Sequence, residues 1–415
     1  MKQNRVLITG YGAVSPYGIG TEKMLAGLFA GRSCVVNIKP QLGGKSANGN
    51  CFVAAPLAET PDSNQIPRKH RRNMGLLAEL AYRAAADALL HAAVPAERIG
   101  SEELGVVFSS SLGSAAALEE VFRVYLDDSP QAVPQASSFF KIMSHTCSAN
   151  VAHALGIRGV NYSVNSTCAS STQAMGIGYE QLKQGRQEIM VCGGAEEMHP
   201  MVVSIFDLLQ AASWKYNDHP TRTPRPFDAD RDGTVCGAGA GALILETEES
   251  ACRRGATVFG EIVGYSTNLD TTSMAQSSKE SIVMCLRRAL ADAGVDPAQV
   301  DYINAHATAT VAGDISEASA IAEVFAGLAV PVSSLKGHMG HTLAASGALE
   351  TIASLEMMRR GQLVPTLNLE TPAPDLPSLT HVPAAGLEKK VTCFVKNSFA
   401  FGGINAVLII KEYTK

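Results

Sequence analysis

The sequence has little charge, few aromatic residues and no long hydrophobic run. Charged residues make up 18% of its 415 residues, aromatic residues 6%, and Trp occurs once. Charge, Gly or Ser interrupts the apolar stretches well before the roughly 20 residues that a membrane-spanning helix needs. With 34 Lys and Arg against 39 Asp and Glu, the net charge of −5 argues against a general affinity for nucleic acid. We therefore expect neither a transmembrane segment nor a nucleic-acid-binding protein.

The nine cysteines are an odd number, and none of them belongs to a Cys-X-X-Cys pair. Neither a disulfide framework nor a zinc ribbon is therefore predicted. The charged start of the chain leads at once into Val6–Gly10, a run typical of a buried strand, and it lacks the apolar stretch of a signal peptide. We expect a protein of the reducing cytoplasm.

Apolar residues, by contrast, are abundant, and their distribution favours an α/β fold. They make up 46% of the 415 residues, which is enough for a large core and suggests two halves of roughly 200 residues each. Short β-branched runs alternate with long Ala-rich stretches, as in proteins with largely parallel sheets. Predicted strands are Leu104–Ser109, Val160–Asn165, Ile189–Cys192, Ala242–Glu246, Val300–Ala305, Val330–Ser333 and Val407–Ile410. Predicted helices are Gly75–Ala92, Ala169–Gln184, Lys279–Ala293 and Ala344–Arg360.

Similar segments at matching places in the chain indicate an internal repeat. The similar pairs are Arg83–Ala88 with Arg288–Ala293, and Gly241–Leu245 with Asn405–Ile409. In each half a further strand leads into an Ala/Gly-rich helix, which begins at Cys168 in the first half and at His341 in the second. We therefore predict two halves, residues 1–255 and 256–415, with the nucleophile candidate in the first and two histidine candidates in the second.

Cys168 lies where a predicted strand meets a helix of small residues. The positive end of the helix dipole favours a thiolate there, and so a nucleophile, although a cysteine in an apolar protein is usually a small core residue. His306 and His341 lie in segments that follow predicted strands. Because the carboxyl ends of parallel strands meet at one edge of a sheet, the three side chains could form one site. Spacing alone leaves both interpretations open.

Three other signals have simpler explanations. Asp228–Gly233 begins like a calcium loop, but its twelfth position is Gly239 where a bidentate Glu is required, so a hydrogen-bonded turn is predicted. Gly237–Gly241 precedes a strand, whereas a dinucleotide-binding loop precedes a helix. The basic run Arg68–Arg72 is typical of a solvated face, and it would also suit a negatively charged partner.

Five stretches carry a resemblance to a known family. They are Thr167–Ser170, Arg225–Gly233, Asn304–His306, Ser333–His341 and Asn397–Asn405. In this order they resemble the motifs of the β-ketoacyl-acyl carrier protein synthases, condensing enzymes of the thiolase fold, in the branch with a Cys-His-His site. The resemblance runs nearly end to end. It implies an α/β, thiolase-like fold in which two pseudo-symmetric halves form a five-layered αβαβα core.

The resemblance implies a two-step decarboxylative condensation that needs no metal and no organic cofactor. Cys168 would hold an acyl chain as a thioester, and malonyl carrier protein would lose carbon dioxide and attack it. His306 and His341, as neutral imidazoles, would donate hydrogen bonds to the malonyl thioester oxygen. The backbone N–H groups of Cys168 and Phe401 would bind the tetrahedral oxyanion.

Supporting roles follow from the same resemblance. Lys336 would support the electrostatics of the site and orient His341, and Glu350 would help to hold this network. The segment that gates the acyl-cysteine would include Phe399, Ala400 and Phe401. Leu112 would border the acyl pocket.

The resemblance also implies partners. Relatives meet acidic acyl carrier proteins through a basic region, so charge would steer the encounter, with Arg222 or Arg225 contributing. The corresponding residues here are Arg68, Lys69, Arg71 and Arg72. Relatives form dimers through the strand before the nucleophile, here Tyr162–Asn165. We expect a dimer with a second copy or with a related subunit.

Some positions depart from the family pattern. Ala307 replaces the usual Gly after the first catalytic His, and Ala400 replaces a Gly of the gate, where Ala would tolerate positive φ poorly. The Lys336–His341 segment holds an additional histidine, His338, for which we expect an ordinary buried polar role. These changes favour a specialised polyene or polyketide pathway over bulk fatty acid synthesis.

Alternatives from the same fold are less well supported. A degradative thiolase needs a second catalytic Cys, and Asn397–Asn405 holds none. His341 argues against the Cys-His-Asn synthases. A chain-length-determining subunit typically lacks the nucleophile, whereas Cys168 is present. The alternative that this chain is the active subunit of a heterodimer stays open.

Overall fold

The computed structural model describes residues 3–42, 49–129, 133 and 135–415. The strands of these residues are β1 (Val6–Ser15), β2 (Gly18–Ile19), β3 (Val36–Asn37), β4 (Val53–Ala54), β5 (Leu104–Ser109), β6 (Asn161–Tyr162), β7 (Ile189–Glu196), β8 (Gly239–Thr247), β9 (Gly260–Leu269), β10 (Tyr302–Asn304), β11 (Pro331–Ser333), β12 (Gln362–Leu363), β13 (Thr380–His381), β14 (Leu387–Glu388), β15 (Cys393–Ala400) and β16 (Ile404–Lys411). The helices are α1 (Thr21–Phe29), α2 (Lys39–Leu42), α3 (Arg68–Arg71), α4 (Leu76–His91), α5 (Ala96–Ile99), α6 (Ala115–Tyr125), α7 (Ser138–Ile142), α8 (Thr146–Leu155), α9 (Ser170–Lys183), α10 (Pro200–Leu208), α11 (Glu248–Arg253), α12 (Lys279–Ala293), α13 (Val311–Val324), α14 (Lys336–Met339) and α15 (Ser346–Arg360).

One mixed sheet contains most of the described strands, in the order β13-β11-β10-β15-β16-β9-β1-β8-β7-β5-β6. Its two halves repeat one pattern. In the first half β5 is parallel to β6 and β7, and β8 is antiparallel to β7 and β1. In the second half β10 is parallel to β11 and β15, and β16 is antiparallel to β15 and β9. The predicted pseudo-symmetric α/β fold is confirmed.

The two halves meet where β1 pairs antiparallel with β9, over Val6–Ile8 and Gly260–Ile262. The predicted boundary near Gly255 lies between α11 and β9. Its position in the sequence stays a prediction.

Helices α9 and α15 form the middle layer of the molecule. They contact each other, and each of them also contacts strands of both halves, while α4 packs on β1 and β8, and α12 packs on β9 and β16. The middle layer is tight because its residues are small: a Cβ on Gly347 would lie 2.2 Å from Oγ1 of Thr172. The small-residue helices of the sequence are therefore the buried centre of the fold.

The elements predicted from the sequence largely match the observed ones. The predicted bounds of Leu104–Ser109 and Lys279–Ala293 are those of β5 and α12. Of the predicted strand Val160–Asn165, Asn161–Tyr162 pairs as β6. Among the described strands, β6 lies at the edge of the sheet and has β5 as its one neighbour. The predicted helix Ala344–Arg360 begins instead at Ser346, after a short 3-10 turn.

The calcium-like segment is a turn, as predicted. Asp228 accepts backbone hydrogen bonds from Asp230, Glu370 and Thr371 at 2.8–2.9 Å. Its carboxylate also pairs with Arg225 at 3.0 Å. All nine cysteines carry free thiols. Across the described ranges, no helix combines the length and the apolar character needed to cross a bilayer.

Candidate active site

Three predicted site residues lie together, although the strands that precede them belong to opposite halves of the sheet. Cys168 follows β6, His306 follows β10, and His341 follows β11 and the short helix α14. The sulfur of Cys168 and a ring nitrogen of each histidine all lie within 4.8 Å of one another. The two imidazole rings are 5.2 Å apart and nearly perpendicular. A nucleophile candidate and two candidate proton or hydrogen-bond donors thus share one buried space.

Cys168 is held in a 3-10 turn, Thr167–Ala169, directly before α9. Thr167 has a φ of +42°, a strained conformation that non-glycine residues rarely adopt. Burial raises the pKa of the Cys168 thiol to about 12, while Lys336, the Thr167 side chain and the backbone N–H of Phe401 oppose the rise. The effect of burial on this pKa therefore exceeds the opposite effect expected from the helix dipole, and the resting group is a thiol.

Both histidines are neutral at physiological pH. Burial, with the positive charge of Lys336 second, lowers the pKa of His306 and of His341 well below the usual value. Within the described part of the chain, Nδ1 of His306 and both ring nitrogens of His341 have no hydrogen-bond partner. Each neutral ring has one N–H and one lone pair, so these nitrogens are free to bind a ligand or to accept the thiol proton.

The backbone of His306 is held by a buried carboxylate that the sequence interpretation missed. Glu317, on α13, accepts hydrogen bonds from the backbone N–H of His306 at 2.9 Å and of Ala307 at 2.6 Å. Asn397 donates a third, at 2.9 Å. In the sequence, the available signal was that Glu317 is an acidic residue among the small and apolar residues of a helix. Only the tertiary structure shows that its carboxylate binds the backbone of His306.

A buried charge cluster lies beside the site. Glu350 on α15 pairs with Lys336 at 2.7 Å and with Lys396 at 2.8 Å, and none of the three side chains is exposed. Burial alone would raise the pKa of Glu350, but the two lysines outweigh it and lower that pKa to about 2. Lys396 was missed from the sequence, where its only signal was a lysine within the otherwise apolar and polar-neutral strand β15.

The predicted gate residues end β15 and begin the turn into β16; the gate loop is Phe399–Gly403. The ring of Phe399 lies 6.0 Å from that of His306, and the ring of Phe401 lies 5.5 Å from that of Phe206. Ala400 pairs with Ile404 as the last residue of the strand. The positive φ values of this turn fall on Gly402 and Gly403, so the expected cost of a positive φ at Ala400 does not arise in this conformation.

Two cavities meet at the gate loop. The first, of about 350 Å³, is lined by Cys168, both histidines and Phe401. The second, of about 140 Å³, is lined by Ser111, Leu112, Thr167, Val202, Ile205, Phe206, Leu209, Leu343 and Phe401. Phe401 borders both cavities, so a movement of its ring would join them. Leu112 borders the second cavity only.

The other predicted residues lie outside both cavities. Arg68, Lys69 and Arg72 are exposed on or next to α3, while Arg71 is partly buried and binds Asn64 at 2.6 Å. Arg225 is 1% exposed and paired with Asp228, so it is unavailable to a partner; Arg222 remains exposed.

His338 is fully buried, and one ring nitrogen lies 3.0 Å from the carbonyl oxygen of Pro365. Burial lowers its pKa to about 4. It borders neither cavity. These contacts fit the buried polar role expected of it.

One cysteine and two histidines are also a ligand set that Zn²⁺ accepts. The neighbourhood disfavours a cation, however, because the buried Lys336 acts electrostatically on all three side chains. The site fits an anionic group or a developing negative charge better than a metal ion.

Comparison with known proteins settles the family. Residues 3–251 match the family model of the β-ketoacyl synthase N-terminal domain, and residues 259–370 match that of the C-terminal domain. The chain belongs to the β-ketoacyl synthase family. The 3-oxoacyl-[acyl-carrier-protein] synthase 1 of Haemophilus influenzae is 34% identical over 411 residues, 99% of each chain. The predicted family, thiolase-like fold and acyltransferase class are thereby confirmed.

Solved β-ketoacyl synthases have the same fold. One from Burkholderia phymatum superposes with a TM-score of 0.94 at 38% identity, covering 99% of this chain and 100% of that one. The ishigamide ketosynthase/chain length factor has a TM-score of 0.91 at 30% identity, with the same coverage. A type II polyketide synthase ketosynthase, solved with its acyl carrier protein and bound to a hexaketide, has a TM-score of 0.90 at 27% identity, over 99% of this chain and 100% of that one.

Proposed function

We propose that this β-ketoacyl synthase condenses malonyl-acyl carrier protein with an acyl chain held on Cys168. The observation that carries the proposal is the grouping of one thiol and two neutral imidazoles, whose atoms lie within 4.8 Å of one another in the lining of a cavity. The relative from Haemophilus influenzae is named for this class of reaction.

In the first step the Cys168 sulfur attacks the thioester of acyl-carrier protein. The thiol proton passes to a histidine nitrogen and the carbon–sulfur bond to the carrier breaks. The same histidine returns the proton to the departing sulfur, so the carrier leaves as a thiol and the imidazole is neutral again. The backbone N–H of Phe401 opposes the rise in the pKa of the Cys168 thiol and so favours negative charge there. We propose that this N–H and that of Cys168 bind the tetrahedral oxyanion.

In the second step malonyl-carrier protein enters the first cavity. His306 and His341 donate N–H hydrogen bonds to its thioester oxygen, so that loss of carbon dioxide leaves an enolate stabilised by two donors. The enolate carbon attacks the acyl-cysteine carbonyl, a carbon–carbon bond forms, and the carbon–sulfur bond breaks. Cys168 leaves as a thiolate and takes up one proton from solvent, which restores the resting thiol. The product is 3-oxoacyl-carrier protein, and no redox partner is needed.

Charge and exposure suggest where the partners bind. Arg68, Lys69 and Arg72 are exposed, so helix α3 and the residue after it offer positive charge to an acidic carrier protein. Strand β6 is an edge strand, and Tyr162 on it is 39% exposed. Pairing through this edge with a second copy, or with a related subunit, would continue the sheet.

We place the enzyme in a specialised polyene or polyketide pathway of the reducing cytoplasm. The substitutions at Ala307 and Ala400 support this pathway, and the similarity to a type II polyketide ketosynthase agrees with it. The nine free thiols suit a reducing compartment.

The alternative is a place in a heterodimer, as the ketosynthase/chain length factor neighbour suggests. The complete Cys168, His306 and His341 group favours the active subunit over the chain-length-determining one. Reconstitution with and without a related subunit would separate a homodimer from a heterodimer.

The experiment that tests the function is intact-protein mass spectrometry after incubation with carrier proteins bearing saturated, polyunsaturated and aryl chains. We expect one acyl adduct on the wild type and none on Cys168→Ala. Cys285→Ala, a buried thiol on α12 remote in sequence from the site motifs, serves as the matched control and should acylate normally. Undiminished acylation of Cys168→Ala would rule the assignment out, and adducts restricted to polyunsaturated or aryl chains would support the specialised pathway.

A further inference from the structure

The end of β7 holds two adjacent buried carboxylates that the proposed mechanism does not use. Glu196 is 1% exposed and Glu197 is 2% exposed. Both hold the segment that leads from β5 into α6, but at different places. Glu196 binds Ser111, next to Leu112, whereas Glu197 binds the Ser114 hydroxyl at 3.0 Å, where the helix begins. Glu197 accepts hydrogen bonds from the backbone N–H groups of Leu77 and Ala116, at 3.1 and 2.8 Å, and so supports the first turns of α4 and α6. Glu196 does not line the second cavity itself but binds two segments that do.

One oxygen of Glu196 joins two separate walls of that cavity. Its Oε2 accepts a short hydrogen bond from the Ser111 hydroxyl and a longer one, 3.3 Å, from the Ser111 backbone N–H. The same oxygen accepts a hydrogen bond of 3.4 Å from the backbone N–H of Ala344. The residues next to these donors, Leu112 and Leu343, both line the second cavity. A single carboxylate therefore links the two segments that carry these apolar side chains.

The pseudo-symmetry of the fold explains why a carboxylate lies here. Thr167 and Leu343 begin matching 3-10 turns, with φ values of +42° and +46°, so Ala344 is the counterpart of Cys168. Glu196 ends β7 as Ala400 ends β15. The second half thus repeats the turn that carries the nucleophile, without the thiol, and there Glu196 accepts a hydrogen bond from the backbone N–H of Ala344. The sequence comparison, which aligned Cys168 with His341, was three residues out of register at this point.

We propose that Glu196 is a positioning residue that sets the acyl-chain selectivity of the enzyme by holding Leu112 and Leu343 at a fixed separation. The proposal rests on the proposed function, because it takes the second cavity as the place of the acyl chain. Charge-assisted hydrogen bonds are roughly twice as strong as neutral ones. Replacing the carboxylate with the isosteric amide therefore loosens the Ser111 loop while leaving the volume of the side chain almost unchanged.

The test compares acylation of Cys168 by butyryl- and dodecanoyl-acyl carrier protein in Glu196→Gln, in the matched control Glu197→Gln and in the wild type. Assays at about pH 8 keep the carboxylate ionised, since burial raises the pKa of Glu196 to about 7. One hydrogen bond is worth about 0.5–1.5 kcal/mol, so we expect the dodecanoyl-to-butyryl rate ratio to rise about threefold to tenfold in Glu196→Gln. Ser111→Ala should change the ratio in the same direction, and Glu197→Gln should leave it unchanged.

The dodecanoyl-to-butyryl rate ratio does not depend on the fraction of enzyme that is folded. A purely structural role of Glu196 would therefore leave this ratio unchanged. Equal loss of both rates in Glu196→Gln, or the same change of ratio in Glu197→Gln, would overturn the inference while leaving the proposed function intact. Failure of the wild type to acylate with either chain would overturn both.

Discussion

Replacing Glu350 by Gln tests the charge cluster beside the active site most directly. The wild-type carboxylate lies 2.7 Å from the ammonium of Lys336 and 2.8 Å from that of Lys396, and all three side chains are inaccessible to solvent. The amide would leave two positive charges buried without a counter-charge. Breaking a buried pair in this way costs about 3–5 kcal/mol.

The lowered pKa of Glu350 gives a similar value for the stability that this carboxylate contributes. Its fall from 4.5 to about 2, at about 1.4 kcal/mol per unit, corresponds to about 3 kcal/mol. Because the folded-state pKa lies below the unfolded one, this stabilisation is present above pH 4.5 and is lost as the pH falls from 4.5 toward 2. The wild type should therefore lose stability over that interval more steeply than the Gln variant.

Urea unfolding at about pH 7 gives the free energy of unfolding for each variant. Glu356→Gln is the matched control, because Glu356 lies on the same helix and is nearly buried but pairs with Arg359 and Arg360, which are 60% and 40% exposed. Glu356 also accepts a hydrogen bond from the Tyr11 hydroxyl at 2.6 Å, which the amide oxygen of Gln can still accept. The loss is therefore mainly that of the pairs with the exposed arginines, about 1 kcal/mol. Adding Lys396→Met to Glu350→Gln should restore part of the stability, since only one uncompensated charge then remains.

The reasoning is refuted if Glu350→Gln costs no more than Glu356→Gln. It is equally refuted if Lys396→Met makes the Gln variant still less stable. Either result would mean that the ammonium groups reach solvent or another counter-charge, and that burial does not control the energy of this cluster.

Three further predictions concern the histidines and the middle helices. His306→Ala should still form the acyl-Cys168 adduct but condense it about 10²–10³-fold more slowly in a product assay, because one donor to the thioester oxygen is lost. Condensation from preformed acyl-enzyme should be nearly constant between pH 6 and 8, since burial keeps the pKa of both His306 and His341 well below the usual value. Gly347→Ala should lower stability by about 1–3 kcal/mol in thermal unfolding, because its Cβ would lie 2.2 Å from Oγ1 of Thr172.

Each of these has an opposing result. Wild-type condensation by His306→Ala would remove that residue from the mechanism. A fall of fourfold or more in condensation rate from pH 8 to pH 6 would show an imidazole with an ordinary pKa of about 6.5. Gly100→Ala is the control for Gly347, since a Cβ at Gly100 meets no atom within 4 Å; equal effects of the two changes would refute the packing argument.

Local patterns in the sequence were sufficient for most of the architecture. The helix Lys279–Ala293 and the strand Leu104–Ser109 have the predicted bounds because burial and periodicity are encoded within each segment. The candidate site needed more than local patterns. Strand ends made a shared site of Cys168, His306 and His341 conceivable, but the family resemblance was required to predict it.

The supporting residues could not be found in this way, because their partners are distant in the sequence. Glu317 binds the backbone of His306 and, from 80 residues away, the side chain of Asn397. Lys396 is recognisable only through Glu350 on another element. From the sequence alone, a charged residue in a strand is expected to be exposed. Only the fold shows that Lys396 is buried against the carboxylate of Glu350.

By itself, the sequence determined which residue types follow which strands, and hence the fold class, the family motifs and the identity of the nucleophile candidate. Only the tertiary structure decided their chemical state. Cys168 is a thiol, and the histidines are neutral, because burial acts on a group through all its neighbours at once, with Lys336 the strongest charge among them. Desolvation depends on surrounding atoms from many parts of the chain, and no local pattern records it.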